Sequence, residues 1–188
     1  MKKPPSRRSV RFLWLLCVAD ARAAGTGWWK HPGFWAALAY RVHWQRKTGG
    51  WGNGALIPVE LPLRIFASMV ADVEIPADVT IGPGLYLPHP TGVVVASGSR
   101  IGSHVALFQQ VTLGSWHGRQ PCVRAHASLF AGAKVIGGVI IGRRAFVGAN
   151  AVVLEDVPEW HAAVGVPAHV QLRSDYCDRN SMHVEKGS

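Results

Sequence analysis

VRAHASLFAGAKVIGGVIIGRRAFVGANAVV, residues 123–153, decides the fold. An aliphatic side chain returns at every sixth position: Val123, Leu129, Val135, Ile141, Val147 and Val153. Two places before most of them stands a small or aliphatic residue: Ala127, Ala133, Val139, Ala145 and Ala151. This interval fits neither the roughly 3.6-residue repeat of an amphipathic helix nor a single hairpin. It fits a solenoid built of hexads, each a short strand plus a corner. Side chains alternate along a strand, so the aliphatic residue and its partner two before it point the same way, into a prism. Gly148 and Asn150 sit where a corner needs positive φ. A β-sandwich also alternates, but six aliphatics at one strict interval do not arise from ordinary alternation.

Working outward, Ile75, Ile81, Leu87 and Val93 keep the same interval, and Val95, Ile101, Leu107 and Leu113 repeat it with an offset of two. Three hexads close a triangular coil, so the pattern predicts about four coils, each burying its apolar row against the next. Between Leu113 and Val123 the chain reads SWHGRQPC. One hexad cannot hold that segment, so a loop leaves the prism there, and protruding loops are where function concentrates.

The chain has 188 residues, 48% hydrophobic and 16% charged, which excludes a disordered tail protein. No apolar run reaches the ~18 residues of a membrane span. Three scattered cysteines, Cys17, Cys122 and Cys177, argue against a disulfide framework or a cysteine-built zinc site and fit a reducing compartment. The net charge of +9 lies entirely in residues 1–70, which hold eleven Lys/Arg and two acids, together with six of the eight tryptophans. Three segments follow: a basic, Trp-rich helical cap at 1–70, a β-helix at 71–170 and a tail at 171–188.

Residues 1–23 have the outline of a signal peptide, but the apolar core from Phe12 to Ala19 is short and carries Trp and Cys. A helix packed on the open end of the prism is the better reading, because an uncapped coil exposes an apolar edge. HPGFWAALAYRVHW (31–44) predicts a helix with Phe34, Trp35, Leu38 and Val42 on its apolar face. LPLRIFASMVAD predicts another, starting after Pro62, with Leu63, Phe66 and Val70 inward. The basic excess reads as a solvated cap surface or as a peripheral membrane contact, with Trp at the interface and Lys/Arg on anionic headgroups. No nucleic-acid module is recognisable, and no nucleic-acid partner is expected.

PHPTGVVV, VALFQQVTLGS, RQPCV, AGAKVIGG, IGRRAFVGANAVVLEDVP and AVGVPAHV resemble the hexapeptide-repeat acyltransferases, most closely the serine O-acetyltransferase branch. The resemblance covers residues 73–170, and more weakly 31–44. It implies a mainly β fold, a left-handed parallel β-helix with a short N-terminal helical segment. It implies a homotrimer, with acetyl-CoA as cosubstrate lying in a groove between prisms, and no metal. His89, in HPTG, takes the place of the catalytic residue. Acetyl transfer from a thioester to a hydroxyl needs a base near neutral pH, and imidazole, with an ordinary pKa of about 6.5, suits it. A lone histidine is also a common structural residue, and only the family position lifts His89 above the other eight. Gly114 and Ser115 correspond to backbone along the pantetheine arm. Ala131, Gly132, Ala133 and Ala149 are small residues on the flanking coils, equally suited to a long flat ligand or to prism packing. Arg143 and Arg144 follow at a corner, either on CoA phosphates or in solvent.

The pattern also departs from that branch. Pro88 stands where an acid precedes the catalytic His, and Ser97 where an acid follows it. The protruding loop is shorter and reads Arg119-Gln120-Pro121 in place of Arg-His-Pro. Arg119, His117 and Gln120 are the expected acceptor-binding residues, Arg119 suited to a carboxylate. With no anion in view for an ammonium group, the expected activity is acetyl-CoA-dependent O-acetylation of a sugar or glycan hydroxyl, or of another small hydroxylated acceptor, in polysaccharide biosynthesis. The alternative is a serine O-acetyltransferase of cysteine biosynthesis. A catalytically silent scaffold is a further reading, as is a zinc hydratase, although His89, His104, His117 and His126 lack matching coil positions. The expected location is cytoplasmic, with the inner membrane face as an option.

Overall fold

The computed structural model describes residues 10–48 and 57–172. Three helices come first, α1 (Val10–Ala24), α2 (Pro32–Thr48) and α3 (Ile57–Met69), with a single 3-10 turn at Trp28–Lys30. From Val73 onward the chain is short strands wound into three sheets. Sheet A stacks β1 (Val73–Glu74), β3 (Val93–Val95), β6 (Thr112–Gly114), β9 (Lys134–Ile136) and β12 (Val152–Val153). Sheet B stacks β2 (Thr80–Ile81), β4 (Arg100–Ile101), β7 (Cys122–Val123) and β10 (Ile140–Ile141). Sheet C stacks β5 (Ala106–Leu107), β8 (Ser128–Leu129), β11 (Phe146–Val147) and β13 (His161–Val164), and β14 (His169–Leu172) closes it antiparallel to β13. Apart from that last pair, every pairing between strands is parallel.

The hexad residues meet one another in register, as in Leu107 on Leu129 and Leu113 on Val135, and their side chains fill the interior with essentially no exposure. Sheet A has five strands, so the prism has about five turns rather than the four the hexads predict. The first turn, fed by α3, carries Ile75, Ile81 and Leu87. Its third side has no regular strand, only a bridge from Tyr86 to Ala106.

The helices cover the prism's first turn. Ala36, Ala37 and Tyr40 of α2 join one core with Ala71, Val79, Ile81 and Leu85. This face differs from the expected one: Phe34 and Val42 are buried, but Trp35 and Leu38 are only half-buried, because alanines bring the helix closer to the coil. The closest approach is at Gly33, where an added Cβ would lie 1.7 Å from the carbonyl oxygen of Leu87. Tyr40 donates its hydroxyl to the Val79 carbonyl at 2.6 Å, and burial pushes its phenol pKa up. Helix α3 begins at Ile57, and Pro62 lies inside it rather than opening it. Pro58 occupies the first turn, where a missing N–H costs little. Val70, expected inward, is exposed.

A buried ion pair joins cap to prism. Arg41 donates to both carboxylate oxygens of Asp20, at 2.9 and 3.1 Å, and to the carbonyls of Ile81 at 2.8 Å and Gly82 at 2.6 Å. Asp20 also accepts from the amides of Gly84 and Leu85, each at 2.9 Å. Every charge on the pair is thus met, the condition for burying one without loss. A second node holds α2 to α3, where Glu60 binds Arg46 and His43. Burial alone would raise the Glu60 pKa, but the hydrogen bonds and charges of Arg46 and His43 hold it below the usual carboxylate range.

The tryptophans largely build this cap: Trp28 packs on Phe34 at 4.5 Å, Trp35 on Phe34 at 5.5 Å and Trp44 on Phe12 at 6.3 Å between ring centroids. Trp14 and Trp29 stay exposed. Trp51, Lys2, Lys3, Arg7 and Arg8 lie outside the described residues. Among the described residues no helix is long and apolar enough to cross a membrane.

Candidate active site

Each prism edge is a column of corners, and the columns sort the candidate residues. On the edge between sheets C and A, Gly92, Gln110, Gly132 and Asn150 all have positive φ. Their amides donate to Asp72, Thr91, Gln109 and Ala131 respectively, each at 2.8 Å, one turn below. His89 is exposed at the bottom of this edge. Ala131, Gly132 and Ala149 stand on the turns above it, interleaved with the exposed side chains of Gln110 and Asn150. Gly132 suits its corner: its φ is 73°, and an added Cβ would lie 2.0 Å from Asn150 Oδ1, so that side chain would have to move. Ala133 is fully buried and its side chain packs the prism, the second of the two readings given for it.

Gly114 and Ser115 lie on the opposite edge of sheet A, where the chain leaves the prism. His117 and Gly118, at φ 49° and 72°, form the two-residue turn of a hairpin closed by the Trp116–Arg119 pair. Gln120 donates its side-chain amide to the Gly118 carbonyl at 3.0 Å and braces this turn. His117 and Arg119 are exposed. Arg143 and Arg144 lie on the third edge, between sheets B and C. Arg144 stacks over Trp160 at 4.6 Å, above the stacked rings of His104 and His126. Arg143 lines a groove of about 970 Å³ over sheet B together with Arg100 and Arg124. Within one chain, the base and the proposed acceptor-binding loop are therefore separated by the width of sheet A, three extended residues or roughly 10 Å.

Acids absent from positions 88 and 97 are present one turn lower. Asp72 stands directly beneath Gly92 on the His89 edge, and Glu74 pairs in register with Val94. Both line a cleft of about 610 Å³ between α2, α3 and β1, with Tyr40, His43 and Arg64. Ser97 itself donates to the carboxylate of Asp78. Carboxylates are thus present below the His89 edge, in a cleft whose lining does not include His89.

No family model matches the chain. Curated relatives do: serine acetyltransferase of Escherichia coli K12 is 36% identical over 159 residues, 82% of this chain and 56% of the relative. That of Haemophilus influenzae is 38% identical over 142 residues, 73% of this chain and 51% of the relative. The chain thus spans about half the length of the curated relatives it matches. Among solved structures, a serine acetyltransferase in complex with CoA superposes with a TM-score of 0.73 at 32% identity, covering 87% of this chain and 72% of that one. Soybean serine acetyltransferase complexed with serine gives 0.71 at 34% identity, covering 85% and 69%.

The chain belongs to the hexapeptide-repeat acyltransferase family, in its serine acetyltransferase branch.

Membership of that family gives the coil its hand: the prism is a left-handed parallel β-helix. It also throws the chain's own features into relief. The outward row of sheet C beside the His89 edge is Pro88, Phe108 and Phe130, with the two phenylalanine rings stacked at 5.0 Å. In this chain the loop is a four-residue hairpin with an exposed indole at its base. Neither feature was singled out from the sequence, although both follow from counting outward positions at the coil interval.

Proposed function

We propose that the chain is an acetyl-CoA-dependent O-acetyltransferase whose acceptor is serine, working as a homotrimer. The observation that carries the reading is His89, exposed at the foot of the edge that carries the small residues Ala131, Gly132 and Ala149. Those small residues suit the long thioester arm, and Asp72 and Glu74, on the turn below, offer carboxylates for an ammonium group. The expected glycan acceptor yields to its alternative, because the relatives above are serine enzymes. No observation favours the membrane contact.

The chemistry needs no covalent enzyme intermediate, since a thioester is already activated. His89 takes the hydroxyl proton as the oxygen attacks the thioester carbonyl. A backbone N–H on this edge can meet the oxyanion that forms. Collapse expels the CoA thiolate, which is protonated, and leaves the O-acetyl ester. Arg119 holds the acceptor carboxylate in bidentate fashion. Because His89 and Arg119 occupy different edges, the site needs two copies, and a closed ring of three supplies it.

Thiol release from acetyl-CoA, measured with serine and with a panel of sugar hydroxyls, tests this. Serine should be the best acceptor. A sugar turned over faster than serine would return the acceptor to the glycan class.

A further inference from the structure

The protruding loop is rigid. Trp116 and Arg119 exchange both backbone hydrogen bonds, amide to carbonyl, at 3.0 Å each way. The intervening His117-Gly118 turn has both φ angles positive, the two-residue geometry that matches strand twist. Directly opposed residues of such a pair point to one face. That face lies on the next turn: a Cβ at Gly137 would lie 3.4 Å from the Trp116 Cβ, and one at Gly138 would lie 3.0 Å from the Arg119 Cβ. Two successive glycines thus make the bed on which the hairpin lies down. Yet Trp116 keeps 63% of its surface in solvent, its ring meeting only the edge of His117 at 4.8 Å among ring contacts. The hairpin thus presents an indole and a guanidinium together on one face, at the edge of sheet A opposite to His89.

We propose that Trp116 of one copy forms the fixed aromatic wall of the acceptor pocket built around His89 of the next. There it selects carboxylate-bearing acceptors whose carbon skeleton lies against the indole while Arg119 takes the carboxylate. The inference rests on the proposed acetyl transfer. It adds a specificity-determining residue and says which copy supplies it. Sheet A separates the Trp116 edge from the His89 edge in one chain, and a ring of copies brings each Trp116 edge to the neighbour's His89 edge. Pro88 and Phe108, beside His89, then face the indole with matching apolar surface. The exposed indole is then covered by a second copy and by the small acceptor between them.

Two measurements test it on the full chain. Trp116→Ala should raise the KM for serine about tenfold, the usual worth of an aromatic contact, with kcat and the KM for acetyl-CoA unchanged, and Trp116→Phe should keep most of the affinity. An unchanged serine KM in Trp116→Ala overturns the assignment. If the wild type uses another acceptor, the same comparison is made with that acceptor, so a wrong acceptor and a wrong wall are told apart. Co-expressing His89→Ala with the double variant Trp116→Ala/Arg119→Ala should then restore about a quarter of wild-type activity, since random assembly gives one intact interface in roughly four. No restoration, with both variants trimeric, overturns the placement across copies.

Discussion

Replacing Arg41 by methionine keeps the stem of the side chain and deletes its charge. The guanidinium makes four bonds, two to Asp20 and one each to the carbonyls of Ile81 and Gly82. Without it, Asp20 remains 2% exposed with only the amides of Gly84 and Leu85 for company. Removing one partner of a buried pair costs about 3–5 kcal/mol, and two orphaned carbonyls place this case toward the upper end. At an m-value of about 2 kcal/mol per molar, the urea midpoint should fall by about 2 M. Tryptophan fluorescence follows the cap through Trp28, Trp35 and Trp44, while circular dichroism follows the strands. In a solenoid the two need not move together, and the fluorescence transition should shift first. Adding Asp20→Asn to Arg41→Met removes the stranded charge while leaving an acceptor for the two amides, so it should recover more than half of the loss. A fall under about 0.5 M, or no recovery in the double variant, would refute the claim that this pair fastens the cap to the prism.

His89→Ala should lower kcat by about 10²–10⁴, the worth of a general base, with little change in acetyl-CoA affinity. His89→Asn should be nearly as impaired and His117→Ala much less; the reverse order would place the base on the loop. Gly33→Ala forces a methyl group onto the Leu87 carbonyl, two residues before His89. It should cost about 1–3 kcal/mol by overpacking and lower kcat as well, and a stability loss with kcat unchanged would separate α2 from the site. Glu60 has its pKa held down in the fold, so its contribution is present above the ordinary glutamate value and lost as pH falls through the folded one. The midpoint difference between wild type and Glu60→Gln should therefore be constant above about pH 5 and shrink below about pH 4.

The prism was legible because its interior is written locally and repeatedly: each inward aliphatic residue meets the same kind of residue one turn away, as Leu113 meets Val135. The clamp was not, because Asp20 and Arg41 belong to no repeat and meet only after α1 and α2 have packed. The site fell between these cases. His89, Arg119 and Gly132 could be named from motifs, but their assignment to two edges needed the corner positions, and the nine residues between Leu113 and Val123 hide the phase of the count. The acids were missed for a related reason. They were sought at fixed offsets along the chain, at 88 and 97, whereas in a solenoid the neighbour of a residue lies one turn below it. Val93 sits on Val73 and Val94 on Glu74, so a step of twenty from the strand after His89 reaches the carboxylate directly. The first turn therefore supplies carboxylates below the His89 edge that no fixed offset along the chain would find. Substitutions at Asp72 and Glu74 should then alter acceptor binding more than any change at Ser97, whose hydroxyl already serves Asp78.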